Sequence, residues 1–271
     1  MDWITRTFAD HSIAWIVLAA IVSLIFGTIS SWVTYRFEMR KQQRQQAMTR
    51  DQERQDRVRQ EVIKWANPIL GAVESLQHRL KNIIEDDGYL ALSEECASEI
   101  NPNWSISYDY FMSSTLYHFG QYFAWVQMLR EELSFELFQT QETKDRFFDA
   151  IMSVTKSLSS FPLNRACIGQ DTQVFYLQQR AIGELLIVRE NGSRRCMSYP
   201  DFLNSLSGNP FEQQMKPLKV LLEGISPIPR DDCRWTRLNV THAALVELET
   251  HCNALLRPPP SQGNEKRPQD Q

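Results

Sequence analysis

The chain has 271 residues, 42% of them hydrophobic and 23% charged, with a formal net charge of −4. That leaves room for one globular domain beside an anchor and excludes little else by composition. Five cysteines (Cys96, Cys167, Cys196, Cys233 and Cys252) lie far apart with no C-x-x-C pair, which argues for reduced thiols over a disulfide framework or a zinc site. The charge is uneven. Residues 36–60 carry eight Lys/Arg (Arg36, Arg40, Lys41, Arg44, Arg50, Arg54, Arg57, Arg59) against four acids (Glu38, Asp51, Glu53, Asp56), so the rest of the chain is more acidic than the total. An acidic domain lacks the basic footprint that nucleic-acid binding needs, and no nucleic-acid partner is expected.

Between His11 and Arg36 there is no charged residue or histidine, and the run IAWIVLAAIVSLIFGTISSWVTY is dominated by Ile, Val, Leu, Ala and Phe. A helix of that length spans about 34 Å, and a bilayer core is about 30 Å thick. Trp15 at one end, and Trp32 with Tyr35 at the other, suit the interfaces. The reading is a single transmembrane helix over 12–35, in contact with membrane lipid. A cleaved signal peptide is disfavoured, because Asp2 and Asp10 with a lone Arg6 precede an over-long apolar region. Arg6 alone stands before the span, and Arg36, Arg40, Lys41, Arg44 and Arg50 follow it, so residues 1–11 are expected outside and the C-terminal bulk in the cytoplasm. The sequons at Asn191 and Asn239 are read as chance in that orientation. Ala19, Ser23, Gly27 and Ser31 recur every fourth residue and form a small-residue face through which two copies could associate as a homo-oligomer.

Residues 36–60 are rich in Arg, Gln and Glu and contain neither Gly nor Pro, which predicts a basic helical stalk continuing the membrane helix. Its apolar positions are too sparse for a coiled-coil seam.

The domain is expected over 61–257. Val58, Val62, Trp65, Ile69, Val73, Leu76, Leu80 and Ile83 keep helical spacing, with Pro68 as a kink or join and Gly88 as a left-handed stop. Over 108–133, apolar and aromatic residues cover most of the circumference, which predicts a helix buried on nearly all sides. A second span there is disfavoured by Ser113, Ser114, Thr115, His118, Gln121 and Gln127. Further helices are expected at 141–159, 171–189 (N-capped by Asp171), 209–224 and 235–256, with Asn191-Gly192 as a turn and Pro162, Pro200, Pro227 and Pro229 as connections. No strand-like alternation is evident. The polar, Pro-rich residues 258–271 are expected to form a disordered tail. The fold class is all-α: one membrane helix, a helical stalk and a soluble bundle of five to seven helices.

Motifs for phosphate loops, hydrolase elbows, H-E-x-x-H sites and EF-hands are missing, so no cofactor, metal or catalytic residue is assigned. Cys167 with His118 or His242 would make a nucleophile and base only if the fold brought them together. Arg180 and Glu184, four apart, read as a surface ion pair or, with Arg189, as a polar contact beside the aromatic helix. Glu247, Glu249 and His251 are spaced by two and read as a solvated face. If the bundle holds a pocket, Tyr110, His118, Gln121, Tyr122 and Trp125 are expected to line it.

Function is expected in this order: a membrane-anchored interaction or scaffold protein that presents a domain to cytoplasmic protein partners; an oligomeric membrane effector or channel-associated subunit; an enzyme with a core site near His118 or Cys167.

Overall fold

The computed structural model describes residues 2–93, 103, 106–132, 138, 140–164, 172–190, 192–225 and 233–256; before Thr34 it describes the side chains of Leu18, residues 21–26 and Trp32. Contacts divide the chain into two units, residues 1–57 and 58–271. Cys96, Cys167, Asp171, Pro227, Pro229 and the tail from 258 lie outside the described residues, as do the side chains of Ala19, Gly27 and Ser31.

The first unit is part of one helix, α1 (Asp2–Glu61). The expected membrane helix and stalk thus fall on a single continuous helix. Among the described residues no helix is long and apolar enough to cross a membrane, so the fold does not support the expected span over 12–35.

The second unit begins with a π-helical turn, Val62–Ala66, followed by α2 (Asn67–Glu85). Pro68 has no N–H to give to the carbonyl of Lys64, and the widened turn sits directly before it. α2 buries Ile69, Val73, Leu76, Leu80 and Ile83, the expected stripe. Gly88, at φ +58°, enters a short 3-10 turn after α2.

The aromatic segment forms α3 (Tyr108–Glu132), with Phe111, Leu116, Phe119, Tyr122 and Met128 all buried. It packs against α2, α5 (Tyr176–Leu185), α6 (Tyr199–Leu206) and α7 (Asn209–Leu222). α4 (Gln141–Ser159) starts where Thr140 Oγ1 accepts the Thr143 N–H at 3.1 Å. The last helix, α8 (Cys233–Leu256), packs on α2 and α4. Described residues of the second unit thus contain seven α-helices around one core, a helical bundle.

Two expectations are corrected. The helix foreseen at 171–189 ends at Leu185, and Ile187–Glu190 (β1) pairs antiparallel with Ser193–Cys196 (β2). Gly192, at φ +78°, supplies the left-handed turn conformation, and Arg195 Nη2 donates to Glu190 Oε1 across the hairpin at 2.9 Å. Pro200 is not a connection but lies in the first turn of α6, after Ser198 caps it.

Candidate functional site

α3 and α5 cross closely because residue 183 is glycine. A Cβ there would stand 2.8 Å from the backbone carbon and oxygen of Phe123. Beyond the crossing the helices leave a cleft of about 180 Å³, open on one side. From α3 it receives Tyr122, Phe123, Val126, Gln127, Arg130 and Glu131. Thr155 of α4 contributes to it, with Tyr176, Gln179 and Arg180 of α5. Phe123, Gln127 and Arg130 fall at i, i+4 and i+7, and Tyr176 and Arg180 at i and i+4, so helical spacing turns both sets to one side.

The polar groups in the cleft are mutually braced. Gln179, buried, donates Nε2 to the carbonyls of Thr155 at 3.0 Å and Val174 at 2.8 Å, tying α5 to α4. Gln127, also buried, donates Nε2 to Glu184 at 2.8 Å and Glu131 at 2.9 Å and accepts from Arg180 Nε at 3.3 Å. Arg180 and Glu184 therefore meet through Gln127. The expected direct i, i+4 ion pair is not among those of the described residues. Glu131 is further engaged by Arg194 of β2, whose guanidinium also reaches Glu132 at 3.4 Å. The hydrogen bond from Arg194 holds the Glu131 carboxyl below the ordinary range.

Arg130 differs from Arg194. Its Nη1 donates to the Tyr176 hydroxyl at 3.1 Å, and its Nη2 meets Met152 Sδ at 3.1 Å. Neither Arg130 nor Arg180 has a carboxylate within ion-pair distance among the described residues. The cleft's cations are thus held by neutral groups, while the acids beside it are occupied.

Of the five residues expected to line a pocket, Tyr122 does so. Its hydroxyl is buried without a hydrogen-bond partner, and burial pushes its pKa up. Tyr110 is exposed, Gln121 is half-buried, and Trp125 packs edge-on against Trp65 at 6.4 Å. His118 is half-buried; its Nδ1 has no partner, and burial, with Arg79 nearby, pushes its pKa down to about 4. None of these four borders the cleft. The cleft is lined further along α3 by Gln127 and Arg130, and by Tyr176, Gln179 and Arg180 of α5. The available signal was the return of polar residues at 127 and 130 after the apolar run Tyr122–Val126.

The candidate pairing of Cys167 with His118 or His242 lies outside the described residues at Cys167. Among the described residues no group of three His, Cys, Asp or Glu is arranged to hold a metal, which includes Glu247, Glu249 and His251. The described thiols, Cys196 and Cys252, are both pushed up to about 12 by burial, the opposite of an activated nucleophile. No protein-family model, curated protein or solved structure matches the chain.

Proposed function

We propose that the chain is a single-pass membrane protein anchored by residues 12–35, which presents its helical domain to cytoplasmic protein partners. The observation that carries this reading is the uncharged run itself, from residue 12 to 35 in one unbroken helix. The described side chains of that run add support, since Leu24 is 71% and Phe26 70% exposed to solvent. Leaving such side chains in water costs roughly 1.5–3 kcal/mol each relative to burial, and lipid removes the cost. At the C-terminal end of the run, the Arg36 guanidinium lies 4.6 Å from the centroid of the Trp32 ring, a pairing suited to the headgroup region. The cations that follow would each gain about 1 kcal/mol from anionic lipid.

Within the membrane, association through Ala19, Ser23, Gly27 and Ser31 would make the protein a homo-oligomer. A bulky side chain on that face would keep the backbones apart. In a membrane two-hybrid assay, Gly27→Ile is expected to abolish self-association, and an undiminished signal would refute this contact.

Orientation is tested by reporter fusion. A fluorescent protein fused after residue 256 should fluoresce, and alkaline phosphatase at the same point should be inactive. The reverse pattern would place the domain on the other side of the membrane.

A further inference from the structure

The cleft between α3, α4 and α5 combines features that a merely packed helix junction does not require. Two guanidiniums border it, Arg130 and Arg180, and their hydrogen-bond partners are a phenol oxygen, a thioether and an amide oxygen. The acids that would ordinarily neutralise them are committed: Glu131 to Arg194 and Gln127, and Glu184 to Gln127. With Glu131 paired to Arg194, the two cleft arginines outweigh the single charge left on Glu184, so the local field favours one added negative charge. Phe123 and Val126 give the opposite character, an apolar wall, and the Tyr122 hydroxyl is a buried polar group without a hydrogen-bond partner.

We propose that this cleft binds a small organic monocarboxylate, with its charge between Arg130 and Arg180 and its apolar body against Phe123 and Val126. The size follows from the volume, because an apolar cavity of roughly 150 Å³ accommodates a benzene ring and this one measures about 180 Å³. A single negative charge follows from the acids at the rim. A dianion would face the carboxylates of Glu131 and Glu184 as well as the two arginines. Arginine's planar fork also matches the two oxygens of a carboxylate, which favours that group over a spherical anion. The site lies wholly within residues 122–180, so it stands or falls independently of the membrane anchor.

The test is calorimetric titration of the full-length, detergent-solubilised chain with benzoate, with benzamide as the neutral analogue of the same shape and inorganic phosphate as an anion without an apolar body. Blank micelles serve as reference. Saturable one-site binding of benzoate is expected, with benzamide and phosphate each weaker by about 10-fold or more. Arg130→Met and Arg180→Met should each weaken benzoate by about 10-fold, while Arg146→Met, on an exposed residue of α4 paired with Glu142, should leave it unchanged. Arg180 is exposed, so its variant keeps the test decisive should Arg130→Met fail to fold. No saturable benzoate binding, equal binding of benzamide, or full affinity in Arg180→Met would overturn the proposal. Phosphate binding as tight as benzoate would overturn the part assigned to the apolar wall.

Discussion

Arg234 and Arg237, three residues apart on α8, each close the C-terminal end of a different helix. Arg237 is fully buried and donates Nη1 to the carbonyls of Ser157 at 2.7 Å and Leu158 at 2.8 Å, and Nη2 to Ser160 at 3.0 Å, at the end of α4. Arg234 donates to the carbonyls of Glu223 and Gly224 just after α7. The last carbonyls of a helix have no partner within it and carry the negative end of its dipole, so a guanidinium satisfies both needs at once. α8 thereby fastens two helices far apart in sequence.

Replacing Arg237 with Met should accordingly destabilise the domain by about 3 kcal/mol, because the carbonyls of Ser157, Leu158 and Ser160 all lose the guanidinium, Leu158 keeping the Val174 N–H. Arg237→Lys should recover only part of this, since an ammonium cannot span all three. Urea unfolding of the detergent-solubilised chain, followed by tryptophan fluorescence, measures both. A change below about 1 kcal/mol for Met would mean that the clamp contributes no more than an average surface contact.

Two glycines should respond in opposite directions to the same substitution. Gly183→Ala forces a methyl against the Phe123 backbone at 2.8 Å, which cannot yield without separating α3 from α5, and should cost about 1–3 kcal/mol. Gly71 lies inside α2 with nothing within 4 Å of its built Cβ. There alanine should stabilise by roughly 0.5–1 kcal/mol through helix propensity. Because the Gly183 change also alters the cleft, it should reduce benzoate binding, whereas Gly71→Ala should not. Thermal melts and titrations of the two variants decide.

These contacts mark what the sequence makes legible. Helical periodicity predicts α2 closely, the start and end of α4 and the near-total burial of α3, because each depends on apolar spacing within one element. Asn191-Gly192 marks a turn in the sequence, but the hairpin at 187–196 is not legible around it, because strands of four residues are too short to display an alternation against a preceding helical pattern. The roles of Arg237 and Gln127 were not legible either. Arg237 reaches α4 across 77 to 80 residues of sequence, and Gln127 reaches α5 across 53 to 57. No local pattern encodes such partners. The tyrosine and histidine expected to form one pocket lie on α3 where its circumference serves several neighbours, so proximity along the helix did not bring them to a common cavity.

Stability should fall in mild acid. Burial depresses the His118 pKa from 6.5 to about 4. Above pH 6.5 the imidazole is neutral in both states and its contribution is complete. As pH falls from there toward 4, the unfolded chain takes up a proton that the folded one refuses, so stability is lost across that window by about 2–3 kcal/mol. His242, also depressed by burial, adds in the same direction. His118→Gln should flatten the slope of unfolding free energy against pH in this range. A slope unchanged by the substitution would assign the acid sensitivity elsewhere.

Cys196 and Cys252, with thiols pushed up to about 12 by burial, should resist alkylation in the folded protein at pH 8 and react on unfolding. Site-resolved mass spectrometry after a brief iodoacetamide pulse reads this directly. Rapid native labelling of either residue would show that its surroundings open to solvent.

The central claim, anchoring through residues 12–35, is tested most directly by alkaline carbonate extraction of membranes from cells making the full chain, alongside a chain lacking 12–35. Stripping peripheral proteins should leave the full chain in the membrane pellet and the shortened chain in the supernatant. Recovery of the full chain in the supernatant would contradict a membrane-spanning anchor.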